Sequence, residues 1–301
     1  MAYMQAASLP SNRRQLGTAF WFILPAMLVM NIVMVAPLLY SLFISFTDWA
    51  LSRPGSEGVF VGIANYWDTL RSSAFWKSLQ VTLSFAFLST IAELILGTLF
   101  ALLLDRDFVG RRIVRVLVLI PMLLTPAVIG MFWKLLFEQQ AGVFNFFAVS
   151  LGLDRIAWLG VEGALASIVL VDVWQWTPFM ALLILAGLQS VDREALEAAE
   201  VDGATPLQGF RYVVLPFLIP YMITGALFRL TDALREFDKV YLLTQGGPGQ
   251  ETQTMSIFIF ESGFKFFEVG RTSATAWIFT VLVLIILWPL LVYVARRGDA
   301  R

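Results

Sequence analysis

The chain has 301 residues, of which 58% are hydrophobic and 14% charged, with a formal net charge of −1. Soluble domains are about 45–50% apolar and about 25% charged, so this composition indicates a membrane protein, and the lack of net positive charge argues against nucleic-acid binding. The absence of Cys and His excludes thiol nucleophiles, disulfides, His general bases and the usual zinc sites. No GxxxxGK(S/T) motif occurs, so the chain has no P-loop of its own for ATP.

Six stretches have the roughly 20 predominantly apolar residues that a membrane-spanning helix requires. They are residues 18–46, 79–104, 113–137, 163–189, 213–234 and 273–295. The pattern predicts an all-α integral membrane protein with a six-span domain over 18–295, an N-terminal tail over 1–17 and a C-terminal tail over 296–301. Because the number of spans is even, both tails are expected on the same side of the membrane.

Arginine residues predict which side that is. Loops rich in Lys and Arg stay in the cytoplasm under the positive-inside rule. Arginines concentrate at the two chain ends and in the loops after the second and fourth spans: Arg13, Arg14, Arg106, Arg111, Arg112, Arg115, Arg193, Arg211, Arg296, Arg297 and Arg301. Both termini are therefore expected in the cytoplasm.

The second span combines small residues with one acid on a single stripe. Ser89, Gly97 and Ala101 form a face that suits close helix packing, and Glu93 lies on the same stripe. A charge inside a span is costly unless it is paired. We expect Glu93 to pair with an intramembrane arginine or with Ser and Thr side chains, rather than to bind a ligand.

The loop between the fourth and fifth spans, residues 190–212, carries its own helix signals. Asp192 can cap a short helix over Arg193–Val201. Gly203 stands where that helix must stop and reverse, because glycine enters the left-handed backbone region readily. Thr205, followed by proline, can cap the next helix. The loop therefore predicts a helix–turn–helix on the arginine-rich side of the membrane.

Five acids in and beside this short helix give the loop a local negative charge: Asp192, Glu194, Glu197, Glu200 and Asp202. Such a charge favours a basic docking partner. The structural alternative is a solvated acidic helix end with no partner.

Polar and aromatic residues within the fourth and fifth spans predict a substrate path. An arc of about 100° on the fourth span holds Asp172, Gln175, Trp176 and Phe179. A narrower face of the fifth span holds Arg229, Asp232 and Glu236, at i, i+3 and i+7. Carboxylates accept hydroxyl hydrogens, arginine and glutamine donate to oxygens, and rings pack on C–H faces, so this path suits a polyhydroxylated ligand.

Packing alternatives exist for the same residues. Arg229 and Asp232 could form a structural ion pair that neutralises itself within one helix turn. Trp176 and Phe179 could pack against a neighbouring helix.

Residues 197–216, EAAEVDGATPLQGFRYVVLP, resemble the EAA…G…LP signature of the membrane subunits of binding-protein-dependent ATP-binding-cassette importers. Two further segments resemble sugar-type permeases of the maltose-transporter kind: residues 237–248, FDKVYLLTQGGP, and 110–137, GRRIVRVLVLIPMLLTPAVIGMFWKLLF. The likeness covers most of the chain from about Thr18 onward.

The resemblance implies the type I importer permease fold, with six spans and a cytoplasmic coupling helix between spans four and five, in the bacterial cytoplasmic (inner) membrane. It implies a translocation subunit with no catalytic or metal site. The implied partners are a second permease subunit, two ATPase subunits, an extracytoplasmic sugar-binding protein and a carbohydrate. ATP and Mg²⁺ would be held by the ATPase subunits, and this chain would bind no cofactor.

The resemblance also assigns roles to residues of the signature. Glu197 would form a salt bridge to the ATPase, and Ala198 and Ala199 would let the coupling helix lie close to it. Asp202 matches the motif as well, and Gly203 would set the backbone shape.

By the same resemblance, sugar-contacting positions of the maltose-type subunit align with Gln175, Trp176, Phe179, Ala233 and Glu236. The maltose-type pattern around the fifth span is rich in Asn, whereas this chain has Arg229, Asp232, Arg235 and Glu236 there. This difference argues against a neutral maltodextrin, and it admits a polyol, a monosaccharide or a sugar carrying an acidic group.

Two other functions are compatible with intramembrane carboxylates. An ion-coupled secondary transporter could use Glu93, Asp172, Asp232 or Glu236 as a relay. A membrane-embedded enzyme could use the pair Asp232 and Glu236. The discriminating observation is whether transport requires ATP and a second chain or an ion gradient alone.

Overall fold

The computed structural model describes residues 12–298, which form a bundle of helices joined by turns and longer loops. The first half contains α1 (Asn12–Met30), α2 (Ala36–Ile44), α3 (Ala64–Arg71), α4 (Ser73–Asp105), α5 (Arg111–Leu123), α6 (Pro126–Leu136) and α7 (Val143–Ser150). The second half contains α8 (Ala164–Leu188), α9 (Arg193–Val201), α10 (Pro206–Gln208), α11 (Leu215–Ala233), α12 (Asp238–Thr244), α13 (Met255–Phe260) and α14 (Val269–Gly298). Three π-helical segments join neighbouring helices: Asn31–Val35, Gly209–Val214 and Glu261–Lys265.

Within residues 12–298, five helices are long and apolar enough to cross a membrane, and they coincide with five of the six predicted spans. They cover Phe20–Ile44, Ser73–Asp105, Ala164–Leu188, Pro206–Ala233 and Val269–Arg296. The all-α membrane class predicted from the sequence is confirmed. Helix also extends into both predicted tails, from Asn12 and up to Gly298, while residues 1–11 and 299–301 of those tails lie outside the described residues.

The third predicted span, 113–137, is broken instead of continuous. α5 and α6 meet at an angle of 97°. Leu124 and Thr125 between them are extended, with ψ angles of 142° and 143°. Pro126 accounts for the break, because proline disfavours helical backbone in the residue before it and begins a new helix well.

The most extensive helix–helix contact among the described residues joins α4 to α8 and includes the small-residue stripe. Ser89, Glu93 and Ala101 are fully buried. A Cβ atom added to Gly97 would lie 2.7 Å from the Cβ atom of Met180 on α8, so only glycine permits this approach. The predicted close packing of the second span is therefore confirmed, and it sets Glu93 between helices.

Candidate functional site

A cluster of charged side chains is buried where α4, α8 and α11 meet. Arg229 of α11 donates from Nε and Nη2 to the two carboxylate oxygens of Glu93, at 2.7 and 2.9 Å, and from Nη2 to Asp172 Oδ2 at 2.8 Å. The three side chains are at most 2% exposed. A guanidinium suits this position because its planar fork can satisfy two carboxylates together.

Lys239 completes the cluster from α12. Its Nζ atom contacts Asp172 Oδ1 and lies 3.0 Å from Gln175 Oε1 and 3.1 Å from Glu236 Oε2. The side chain is fully buried. The sequence interpretation assigned no role to Lys239, although a lysine followed directly by the apolar run VYLL was a usable signal of a buried charge.

A cavity of about 300 Å³ opens beside this cluster. Its lining residues are Pro126, Trp176, Asp232, Arg235, Glu236, Phe237 and Asp238. The structure thus brings together three of the residues predicted for the substrate path, Trp176 from α8, Asp232 from α11 and Glu236. The prediction that Glu236 shares a helix face with Arg229 at i+7 is wrong, because α11 ends at Ala233 and Glu236 lies in the turn before α12.

Buried cations hold all three of these wall residues. The guanidinium carbon of Arg229 lies 4.8 Å from the centre of a Trp176 ring, and its Nη1 donates to Asp232 Oδ2 at 2.8 Å. The backbone N–H of Lys239 donates to Glu236 Oε1 at 3.0 Å. Asp232 remains 47% exposed, so its carboxylate reaches the cavity while it is fixed from behind. The cluster therefore orients the cavity wall.

The other predicted path residues lie away from the cavity lining. Asp172 and Gln175 are buried and bonded within the cluster, and Ala233 is buried as well. Phe179 makes an edge contact with Trp176, with 6.2 Å between ring centres. Burial in apolar surroundings explains this arrangement, because an intramembrane charge is stable only when it is paired.

Arg229 is the clearest correction to the sequence interpretation. The sequence suggested that it donates to a ligand, whereas in the structure its Nε, Nη1 and Nη2 atoms donate to carboxylates within the bundle. The structural ion pair with Asp232 is confirmed. The expected pairing of Glu93 with an intramembrane arginine is confirmed too.

The cavity also touches the broken third span. Pro126, the first residue of α6, lines it. Gln175 donates from Nε2 to the backbone oxygen of Leu124 at 3.3 Å, which satisfies a carbonyl exposed by the break. The bend between α5 and α6 is thus joined to the charged cluster through one side chain.

The loop after α8 has the local structure that its sequence predicts. α9 covers Arg193–Val201, and Asp192 Oδ1 accepts from the backbone N–H of Glu194 at 2.9 Å. Gly203 has a left-handed φ of 82°. Thr205 and Gln208 form a capping box at the start of α10. These contacts fix the helix–turn–helix.

The five residues predicted to couple to an ATPase all lie on this loop. Glu197, Ala198, Asp202 and Gly203 are exposed, and Ala199 is half-buried. Among the side chains that the structure describes, which do not include that of Arg193, those of Glu194, Glu197, Glu200 and Asp202 form no ion pair. Because they are exposed, these carboxylates are accessible to another molecule.

Comparison with known proteins points to one family. Residues 93–298 match the family described as binding-protein-dependent transport system inner membrane component. The chain is 50% identical over 280 residues to a probable ABC transporter permease protein, y4oQ, of Sinorhizobium fredii, covering 93% of this chain and 91% of the relative. It is 38% identical over 272 residues to the trehalose/maltose transport system permease protein MalF of Thermococcus litoralis, covering 90% and 91%.

A solved structure shares the fold. It is a chain of a bacterial ABC transporter involved in the import of the acidic polysaccharide alginate. The two chains match with a TM-score of 0.81 at 20% sequence identity, covering 94% of this chain and 96% of the other.

Proposed function

This chain belongs to the family of binding-protein-dependent transport system inner membrane components, and we propose that it moves a carbohydrate into the cell as one permease subunit of an ATP-driven importer. The chain is a translocation component of the inner membrane and not an enzyme. The named cargo of the MalF relative, trehalose and maltose, supports a sugar as the substrate. ATP and Mg²⁺ would bind to partner ATPase subunits.

The cavity beside the charged cluster is the observation that carries the carbohydrate proposal. The rings of Trp176 and Phe237 can pack on C–H faces, and the carboxylates of Asp232, Glu236 and Asp238 can accept hydroxyl hydrogens. A volume of about 300 Å³ lies at the small end of ligand pockets, which measure about 300–1,000 Å³. A small sugar or polyol, or one unit of a larger sugar, fits this chemistry and size.

The loop around α9 would dock on an ATPase subunit. Its exposed acids lack ion pairs within the described chain and would attract a basic cleft, with Glu197 as the central contact. Both termini and this loop would lie in the cytoplasm, because they carry the arginine excess. A second permease subunit, two ATPases and an extracytoplasmic binding protein would complete the importer.

Alternating access would then follow from rigid-body movement. α4, α8, α11 and α12 share the ion pairs of Arg229, Asp172 and Lys239, so they would move together. The loop that contains α9 connects the C-terminal end of α8 to the N-terminal end of α11, away from the cavity. A displacement of the docked loop would therefore tilt the two helices that contribute to the cavity wall.

Reversal of one exposed charge tests the docking role. In cells that express the complete importer, Glu197→Arg should lower sugar uptake at least about tenfold, because like charge opposes docking. The amount of chain in the membrane should stay unchanged. Asp154→Arg, which alters an exposed acid in the loop after α7, serves as the matched control and should transport normally. Normal uptake by the Glu197 variant at equal abundance would disprove the assignment.

Affinity purification of the tagged chain in mild detergent separates the importer from the ion-coupled alternative. The importer predicts a second permease and two ATPase copies for each copy of this chain. The structure argues against Glu93 and Asp172 as the relay of a secondary transporter, because both carboxylates are bonded to buried cations. A chain that purifies alone and still transports on an ion gradient would refute the importer.

A further inference from the structure

The wall of the cavity carries more negative than positive groups. Three carboxylates line it, those of Asp232, Glu236 and Asp238, against the single guanidinium of Arg235. In the cluster behind the wall, two carboxylates and two cations balance each other. The cavity region as a whole therefore has two carboxylates in excess.

The buried cations cannot serve an incoming anion. Arg229 is 2% exposed, and its Nε, Nη1 and Nη2 atoms all donate to carboxylates. Lys239 is fully buried, and the three donors of its ammonium face Asp172, Gln175 and Glu236. An acidic group on a ligand would find both cations occupied and shielded by carboxylates.

The accessible groups are mainly hydrogen-bond acceptors. Arg229 binds only the Oδ2 atom of Asp232, so Oδ1 can accept from a ligand. Asp238 is exposed and has no ion pair among the residues that the structure describes. Arg235 is the one basic side chain of the lining, and its Nε atom donates to the backbone oxygen of Thr231 at 3.0 Å. Such a wall favours hydroxyl and ammonium donors.

We propose that this cavity selects carbohydrates by charge: it accepts uncharged and amino sugars and rejects sugar acids, with Asp232 and Asp238 as the specificity-determining residues. The inference rests on the proposed function and narrows its substrate class. It argues against the sugar with an acidic group that Arg229 and Arg235 had suggested, because Arg229 is bonded inside the bundle and Arg235 faces three carboxylates in the lining. Like charges brought together in a partly desolvated site strongly disfavour binding.

Three sugars provide the test: glucose is neutral, glucosamine differs from it by an ammonium at C2, and glucuronate differs from it by a carboxylate at C6. Their binding to the purified complete permease–ATPase complex, without its binding protein, is measured by equilibrium dialysis, with trehalose as a larger neutral probe. Omitting the binding protein means that the selectivity measured belongs to the membrane complex. We expect glucose and glucosamine to bind, and glucuronate to bind at least about tenfold more weakly than glucose.

Two amide variants identify the residues responsible. Relative to glucose binding in the same variant, Asp238→Asn and Asp232→Asn should each strengthen glucuronate binding about threefold to tenfold and weaken glucosamine binding by a similar factor. Asp154→Asn is the control and should change none of the three. Asp238 has no contact with the buried cluster in the described ion pairs, so its variant remains informative even if Asp232→Asn impairs folding.

The outcomes separate this inference from the proposed function. Equal binding of glucose, glucosamine and glucuronate, unaffected by the amide variants, would overturn the charge selection and leave the carbohydrate proposal standing. Binding of none of the four sugars would overturn the carbohydrate assignment of the cavity, and the charge selection with it. Discrimination that persists unchanged in both amide variants would overturn the roles of Asp232 and Asp238.

Discussion

The charged residues around Arg229 and those of α9 lie in opposite environments. In the bundle, Arg229, Glu93 and Asp172 are at most 2% exposed and are bonded to one another. On α9, Glu197 and Glu200 are exposed and form no ion pair with any side chain that the structure describes, Arg193 not being among them. Both regions are rich in charge, but only the first satisfies its charge internally.

This difference separates charge that serves folding from charge that serves another molecule. Removing one member of a buried ion pair leaves an uncompensated charge, which costs several kcal/mol. An exposed acid is solvated whether or not the chain is folded, so its removal costs the fold almost nothing. The contrast therefore predicts large stability effects in the cluster and small ones on α9.

The largest effect is expected for Arg229→Leu. It would leave Glu93 and Asp172 without their guanidinium, and we expect a loss of about 3–5 kcal/mol in the free energy of unfolding. Most of the chain should then fail to accumulate in the membrane. The loss is measured in two ways: as the abundance of the variant in membranes, and as the fraction of purified protein that stays monodisperse in mild detergent on heating.

Two further substitutions sharpen that result. Arg229→Lys keeps the charge and loses the forked hydrogen bonds, so its stability should fall between that of the Arg229→Leu variant and that of the wild type. Arg235→Leu, on an exposed arginine bonded to the backbone oxygen of Thr231, should leave stability nearly unchanged. Equal melting of the Arg229→Leu variant and the wild-type protein would show that the cluster contributes little to the fold.

An intermediate effect is expected where the loop begins its second helix. Thr205→Ala removes the side chain that accepts from the backbone N–H of Gln208 in the capping box. Loss of such a cap costs about 1 kcal/mol. Hydrogen exchange of the backbone around residues 206–212 should become faster, while exchange in α4 and α8 stays as in wild type. Unchanged exchange would mean that the cap does not hold this turn.

The smallest effect on stability is expected for Glu200→Gln on α9. The free energy of unfolding should change by less than about 0.5 kcal/mol, because the side chain is solvated and unpaired within the described chain. Recovery of ATPase subunits with the tagged chain should fall, since one docking charge is gone. Asp68→Asn, on an exposed acid of α3, should change neither quantity. A marked loss of stability would contradict the division between the two regions.

The local features of the chain were predictable because their causes lie close together in the sequence. The apolar lengths of five spans were predictable in this way, and so were the bounds of α9 and the left-handed backbone of Gly203. Apolar length, a capping side chain and a glycine each act within a few residues. The small residues of the second span also made its close packing predictable. They did not predict that the partner would be α8.

Which charges meet depends on contacts between segments that are far apart in the chain. Arg229 pairs with Glu93 across 136 residues and with Asp172 across 57, and Lys239 reaches Asp172 across 67. No local pattern specifies such partners, so Arg229 resembled a ligand-binding residue and Lys239 had no assigned role. Short-range interactions, which can be read from the sequence, set the spans and the α9 loop. The packing of helices distant in the chain decided which polar side chains pair with each other and which line the cavity, because a charge withdrawn from water must find its partner wherever the fold brings one near.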